Sequence, residues 1–196
     1  DLAAAAKPKA ARKQHSLVVV GRLVEKKGIE FLLGALRLGL ADSSLPKDLT
    51  LTIAGDGPIR KELEQKAAGL PVTFLGNQTQ AQVRDLFAGS AIAVLPSVTA
   101  KSGDQEGLPV TLLEAAAAGA FVIASDLPGI NEVVHDRETG LLVPQADAKA
   151  LLAAIQTALG DQKLVASCQK ALAKEVKRFD HAVVGDSYNN LLESLS

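Results

Sequence analysis

SLVVVGRLVEKKGIEFLLGALRLGL, residues 16–40, passes from a β-branched apolar run through a charged loop into apolar residues at helical spacing. The run at 16–21 lacks the polar alternation of a half-exposed strand, so it is expected to be covered on both faces. A helix is expected over 29–40. The same unit recurs down the chain. LTLTIAG (49–55) precedes helical IRKELEQKAAG (59–69), VTFLG (72–76) precedes QAQVRDLFAG (80–89), and AIAVLPS (91–97) precedes PVTLLEAAAAG (109–119). FVIAS (121–125) and GLLVP (140–144) complete about six strands. Uniformly apolar strands separated by helices predict an α/β fold, a doubly wound parallel sheet. Helices over 146–159, 162–177 and 181–195 are expected to close the chain, the last capped by Asp180.

Composition sets the bounds. The 196 residues are 47% hydrophobic and 22% charged, which suits one ordinary globular domain. Twenty-one Lys and Arg against 22 Asp and Glu give a net charge of -1, so nothing global points to nucleic acid. Cys168 is the one cysteine; it excludes an internal disulfide and favours a reducing compartment. A cytoplasmic location is therefore expected, with peripheral attachment at the membrane's cytoplasmic face left open. His15, His135 and His181 are far apart in sequence, and no metal site is expected. Residues 1–15, which carry Lys7, Lys9, Arg12 and Lys13, read as a leader or linker. A start at Asp1 and the lack of methionine suggest a piece of a longer protein.

In such a sheet, ligands bind outside the carboxyl ends of the strands, which directs attention to four loops. The first, GRLVEKKG (21–28), lacks the glycine fingerprint of a dinucleotide site. Its Gly21 is followed by Arg22 and Lys27, which either sit in solvent or together neutralise a diphosphate. In the second, GDGP (55–58), Gly55 and Asp56 belong either to a plain turn or to the same site. In the third, Gly76, Asn77 and Gln78 offer a turn and helix cap or groups that read the edge of a base. The fourth leads from Glu106 through Gly107, Leu108 and Pro109 into a helix that holds Glu114. Free N–H groups at that helix start would receive an anion, and two carboxylates beside it would suit sugar hydroxyls.

GRLVEKKG, LTIAGDGP, VTFLG, EGLPVTLLEAAAAG and GLLVP, in this order over about residues 16–160, resemble the C-terminal, donor-binding half of retaining GT-B glycosyltransferases of the family 4 type. The resemblance implies a Rossmann-like domain over 16–178 and, at 179–196, a closing helix that packs toward an N-terminal half absent from this chain. It implies that Arg22 and Lys27 hold the donor diphosphate and that both act in catalysis together with Glu106. Glu106 would contact the transferred sugar, Glu114 the ribose hydroxyls, and the region of Gly76 and Asn77 would lie by the base. The donor would be a nucleotide diphosphate sugar such as a UDP-sugar, with no cofactor and no metal. A saccharide, lipid or small-molecule acceptor would be held by the absent half. The alternatives are a GT-B epimerase or phosphorylase domain, or a non-catalytic nucleotide-sugar-binding module.

Overall fold

The computed structural model describes residues 12–179. The expected helix at 181–195 and most of the leader lie outside that range. Six strands form one sheet in which every neighbouring pair is parallel: β1 Lys13–Val20, β2 Thr50–Ala54, β3 Val72–Gly76, β4 Ser90–Leu95, β5 Phe121–Ser125 and β6 Leu141–Val143. Their order is β3-β2-β1-β4-β5-β6. The chain therefore moves outward from β1 in one direction, then returns beside it and moves outward in the other. That reversal opens a crevice between β1 and β4 at their carboxyl ends.

The body of β1 and strands β4 and β5 are apolar and buried on both sides because helices cover both, whereas β3, at the sheet edge, exposes Thr73 and Leu75. On one face Leu17, Val19, Leu51, Ile53, Ile92, Val94, Phe121 and Ile123 pack with α1 (Ile29–Ala41), α2 (Arg60–Lys66) and α5 (Ala148–Gly160). Opposite lie α3 (Gln80–Gly89) and α4 (Val110–Ala117). Here the strand residues include Ala93 and Ala124, and the chain supplies Ala115, Ala116 and Ala120 to the same core. Small side chains on both partners allow close packing, which accounts for the alanine run. α6 (Gln162–Glu175) reaches both cores, through Cys168 on one side and Leu172 on the other.

The element boundaries shift from expectation for identifiable reasons. β1 begins at Lys13, so residues 13–15 belong to the sheet and not to a leader. Arg12 is not a solvated cation. Half-buried, it donates to the carbonyls of Ala88, Ala118 and Gly119, which close α3 and α4. β4 stops before Pro96, which has no N–H to donate to the sheet. α5 starts two residues late because Asp147 is its cap, accepting from Lys149 N and Ala150 N at 2.9 Å. Pro109 likewise precedes α4 in an extended conformation and is not inside its first turn. Between β5 and β6, tight turns bury Leu127, Ile130, Val133 and Val134, a segment for which no element was expected.

Candidate functional site

The loops after β1, β2 and β3 meet at their glycines. Gly21 N donates to Ala54 O at 3.0 Å, and Gly55 N donates to Gly76 O at 2.7 Å. A cleft of about 450 Å³ lies over this junction, lined among others by Gly21, Arg22, Gly55, Asp56, Asn77 and Gln78. All six are residues that sequence reasoning had placed in a site. Arg22 is exposed there, with no ion pair among the described residues. Asp56 is otherwise engaged: one carboxylate oxygen accepts from Gly57 N at 2.7 Å and the other pairs with Arg60 at 3.0 Å. It fixes the turn and the start of α2. Gln78 folds its amide onto the carbonyls of Leu75 and Asn77, which stiffens the third loop.

Lys27 and Glu106 come together across the crevice. The Lys27 ammonium donates to both Glu106 oxygens at 2.8 Å, and the two side chains keep only 15% and 11% of their surface exposed. The Lys27 stem lies across Gly21, where an added Cβ would stand 3.0 Å from Lys27 Cε. The pair therefore adjoins the cleft. Glu106, expected to face a sugar, is chiefly the partner of Lys27. It also accepts from Ser97 Oγ at 3.1 Å, and Ser97 is 1% exposed. Sequence reasoning missed Ser97, since a lone serine after a proline carries no distinguishing signal. Missed too was Gly129, in the loop after β5. A Cβ there would stand 2.8 Å from Gly107 C and 2.9 Å from Leu108 N, so that loop backs the turn leading into α4.

Glu114 faces a different way. It accepts from the Gln80 amide at the start of α3, so the two glutamates serve opposite flanks of the α4 entrance. Burial pushes the Glu114 carboxyl above its ordinary value, against the smaller pull of Arg84. A carboxyl raised on folding binds protons better in the folded state, so its ionisation destabilises the fold at pH above the folded pKa. Glu114→Gln is therefore expected to raise the melting temperature of the ligand-free chain at neutral pH. The gain should shrink as pH falls through the raised pKa and vanish below the ordinary carboxyl range, which thermal melts from about pH 3 to 8 would measure. A pH-independent difference would mean that burial of the charge is not its cause. Among the described residues, no group of three or more His, Cys, Asp or Glu could hold a metal, and no helix is long and apolar enough to cross a membrane.

Comparison with known proteins agrees with this architecture. The chain is 31% identical over 185 residues to the amylovoran biosynthesis glycosyltransferase AmsK of Erwinia amylovora, covering 92% of this chain and 45% of that protein. It is 33% identical over 188 residues to a phosphatidyl-myo-inositol mannosyltransferase of Mycolicibacterium smegmatis, covering 94% and 46%. The chain thus spans about half the length of these curated relatives. Among solved structures, Anabaena HepE in complex with UDP superimposes with a TM-score of 0.79 at 25% identity, covering 92% of this chain and 49% of that one. Residues 14–161 match the family model described as glycosyl transferases group 1, and the chain belongs to that family.

Proposed function

We propose that this chain is the donor-binding half of a retaining glycosyltransferase that takes its sugar from a nucleotide diphosphate. The observation that carries this reading is the Lys27–Glu106 pair, held at the β1/β4 crevice beside a glycine-floored cleft. Gly21, Gly55, Gly76, Asn77 and Gln78 take the nucleoside, and Glu114 takes the ribose hydroxyls. Arg22, Lys27 and the N–H groups at the entrance to α4, framed by Gly107, Leu108 and Pro109, take the diphosphate. Negative charge builds on that diphosphate as the bond from the anomeric carbon to its oxygen breaks, so preset cations act where the charge develops. The acceptor oxygen forms the new bond on the face the diphosphate leaves, and its proton passes to the departing phosphate oxygen. Two bonds from Lys27 and one from Ser97 leave Glu106 one lone pair for a sugar hydroxyl. The acceptor belongs to a domain outside this chain, in an enzyme of the cytoplasm or the cytoplasmic membrane face.

Two cations and a helix terminus already meet the diphosphate, so binding needs no divalent metal. Titration calorimetry of this chain with UDP, GDP and ADP and their common sugar derivatives tests the reading, with UDP first because HepE holds it. At least one nucleotide diphosphate is expected to bind equally with and without EDTA. Arg22→Ala removes a charge-assisted contact worth about 1.5–3 kcal/mol, so it should weaken that ligand at least tenfold while sparing the nucleoside. Affinity lost with EDTA and restored by magnesium or manganese would overturn metal independence. Failure to bind any nucleotide diphosphate would overturn the donor reading.

A further inference from the structure

We propose that Ser97 is a positioning residue of this site: its hydroxyl pins Glu106, and the pinned carboxylate holds the Lys27 ammonium in place for a diphosphate. The inference rests on the donor reading above and assigns a part to a residue that touches no ligand.

The two loops that carry these groups are matched residue against residue. Pro96 O lies so close to Gly28 that a Cβ there would stand 1.9 Å away, and Val98 N donates to Lys26 O at 2.8 Å. Ser97 is thus bracketed by two contacts to the very residues that bracket Lys27. Both side chains then converge on Glu106, which comes from farther along the same loop as Ser97. Lys27 supplies only flexible bonds, because an ammonium is a point charge on a four-carbon stem. Without a second anchor, lysine and glutamate would move together. The buried Ser97 hydroxyl is short, rotates about one bond, and is held by backbone on both sides, so it supplies the fixed end. An ammonium has three donors, and two go to Glu106. Pinning the carboxylate leaves the third aimed consistently, which spares a diphosphate the cost of ordering the side chain on binding.

The test uses the full chain with Ser97→Ala and, as a milder variant that keeps the volume and a weak donor, Ser97→Cys. In the absence of ligand, acetylation of Lys27 by an amine-reactive ester, followed by mass spectrometry, should run several-fold faster in Ser97→Ala than in the parent. Lys13, at the exposed start of β1, should be unchanged. Calorimetry should show UDP weakened about tenfold by Ser97→Ala and less by Ser97→Cys, with uridine unaffected. In a Glu106→Gln background, Ser97→Ala should weaken UDP no further, because the carboxylate it pinned is gone. Unchanged Lys27 reactivity, equal losses for UDP and uridine, or additive losses in the double variant would each overturn the proposal and reduce Ser97 to a packing residue. A parent chain that binds no nucleotide diphosphate would overturn the donor reading instead, whatever the Lys27 rate does.

Discussion

Lys27→Ala is expected to lower the stability of the domain by about 2–3 kcal/mol and to remove measurable nucleotide diphosphate binding. Breaking a buried ion pair from one side costs about 3–5 kcal/mol because a charge remains without its partner. The slight exposure of both side chains places this pair below that range. What remains is Glu106, a carboxylate with only Ser97 to satisfy it, beside the point where a diphosphate would enter. The variant therefore replaces an attractive cation with an unscreened anion, a larger change than the loss of one contact. Urea unfolding checks the first effect and calorimetry with UDP the second. Combining Lys27→Met with Glu106→Gln should recover most of the stability, since no charge is then stranded, but none of the binding. A Lys27→Ala protein that unfolds at the parent's urea midpoint would show that the pair contributes nothing to the fold.

The strands were legible because a doubly covered sheet demands apolar residues at consecutive positions, and 17–20, 92–95 and 121–124 meet that demand without interruption. The helices were legible from their spacing, and α3 runs over Gln80–Gly89 as expected, but other ends depended on single caps such as Asp147, which starts α5 two residues later than expected. The buried turns between β5 and β6 left a signal that went unread: Leu127, Ile130, Val133 and Val134 recur at three- and four-residue intervals. In the candidate site, charged residues and the glycines at the ends of the first three strands stood out in the sequence, and residues whose contacts depend on a neighbouring loop did not. Arg22, Lys27, Glu106 and Glu114 stood out as charges in loops or at a helix start. Ser97, Gln80 and Gly129 did not, because their parts depend on which loops the fold brings side by side. The pairing of Lys27 with Glu106, 79 positions apart, has the same origin.

Gly55→Ala should destroy the cleft more thoroughly than any change to a polar residue in it. Gly55 has φ +133, and an added Cβ would stand 1.9 Å from Gly21 O and 2.8 Å from Gly21 C. Neither chain can yield easily, because Gly21 N is bound to Ala54 O and Gly55 N to Gly76 O, so separating the first two loops also breaks their junction with the third. Backbone strain alone costs about 1–3 kcal/mol, and the overlap adds to it, so a loss of about 3 kcal/mol or more is expected. Gly69→Ala is the matched control. Gly69 also has a positive φ, +78, but nothing lies within 4 Å of its added Cβ, so it should register the conformational cost without the collision. If the close approach of the β1 and β2 loops forms the floor on which a nucleoside rests, Gly55→Ala should weaken UDP and uridine together, whereas Gly69→Ala should weaken neither. That pattern is the reverse of the one expected from Arg22→Ala, which spares uridine, so the two variants separate the part of the cleft that holds the nucleoside from the part that holds its phosphates. Equal stability losses for Gly55→Ala and Gly69→Ala would show that the loops can move apart freely and that the glycine is there for its backbone angle alone.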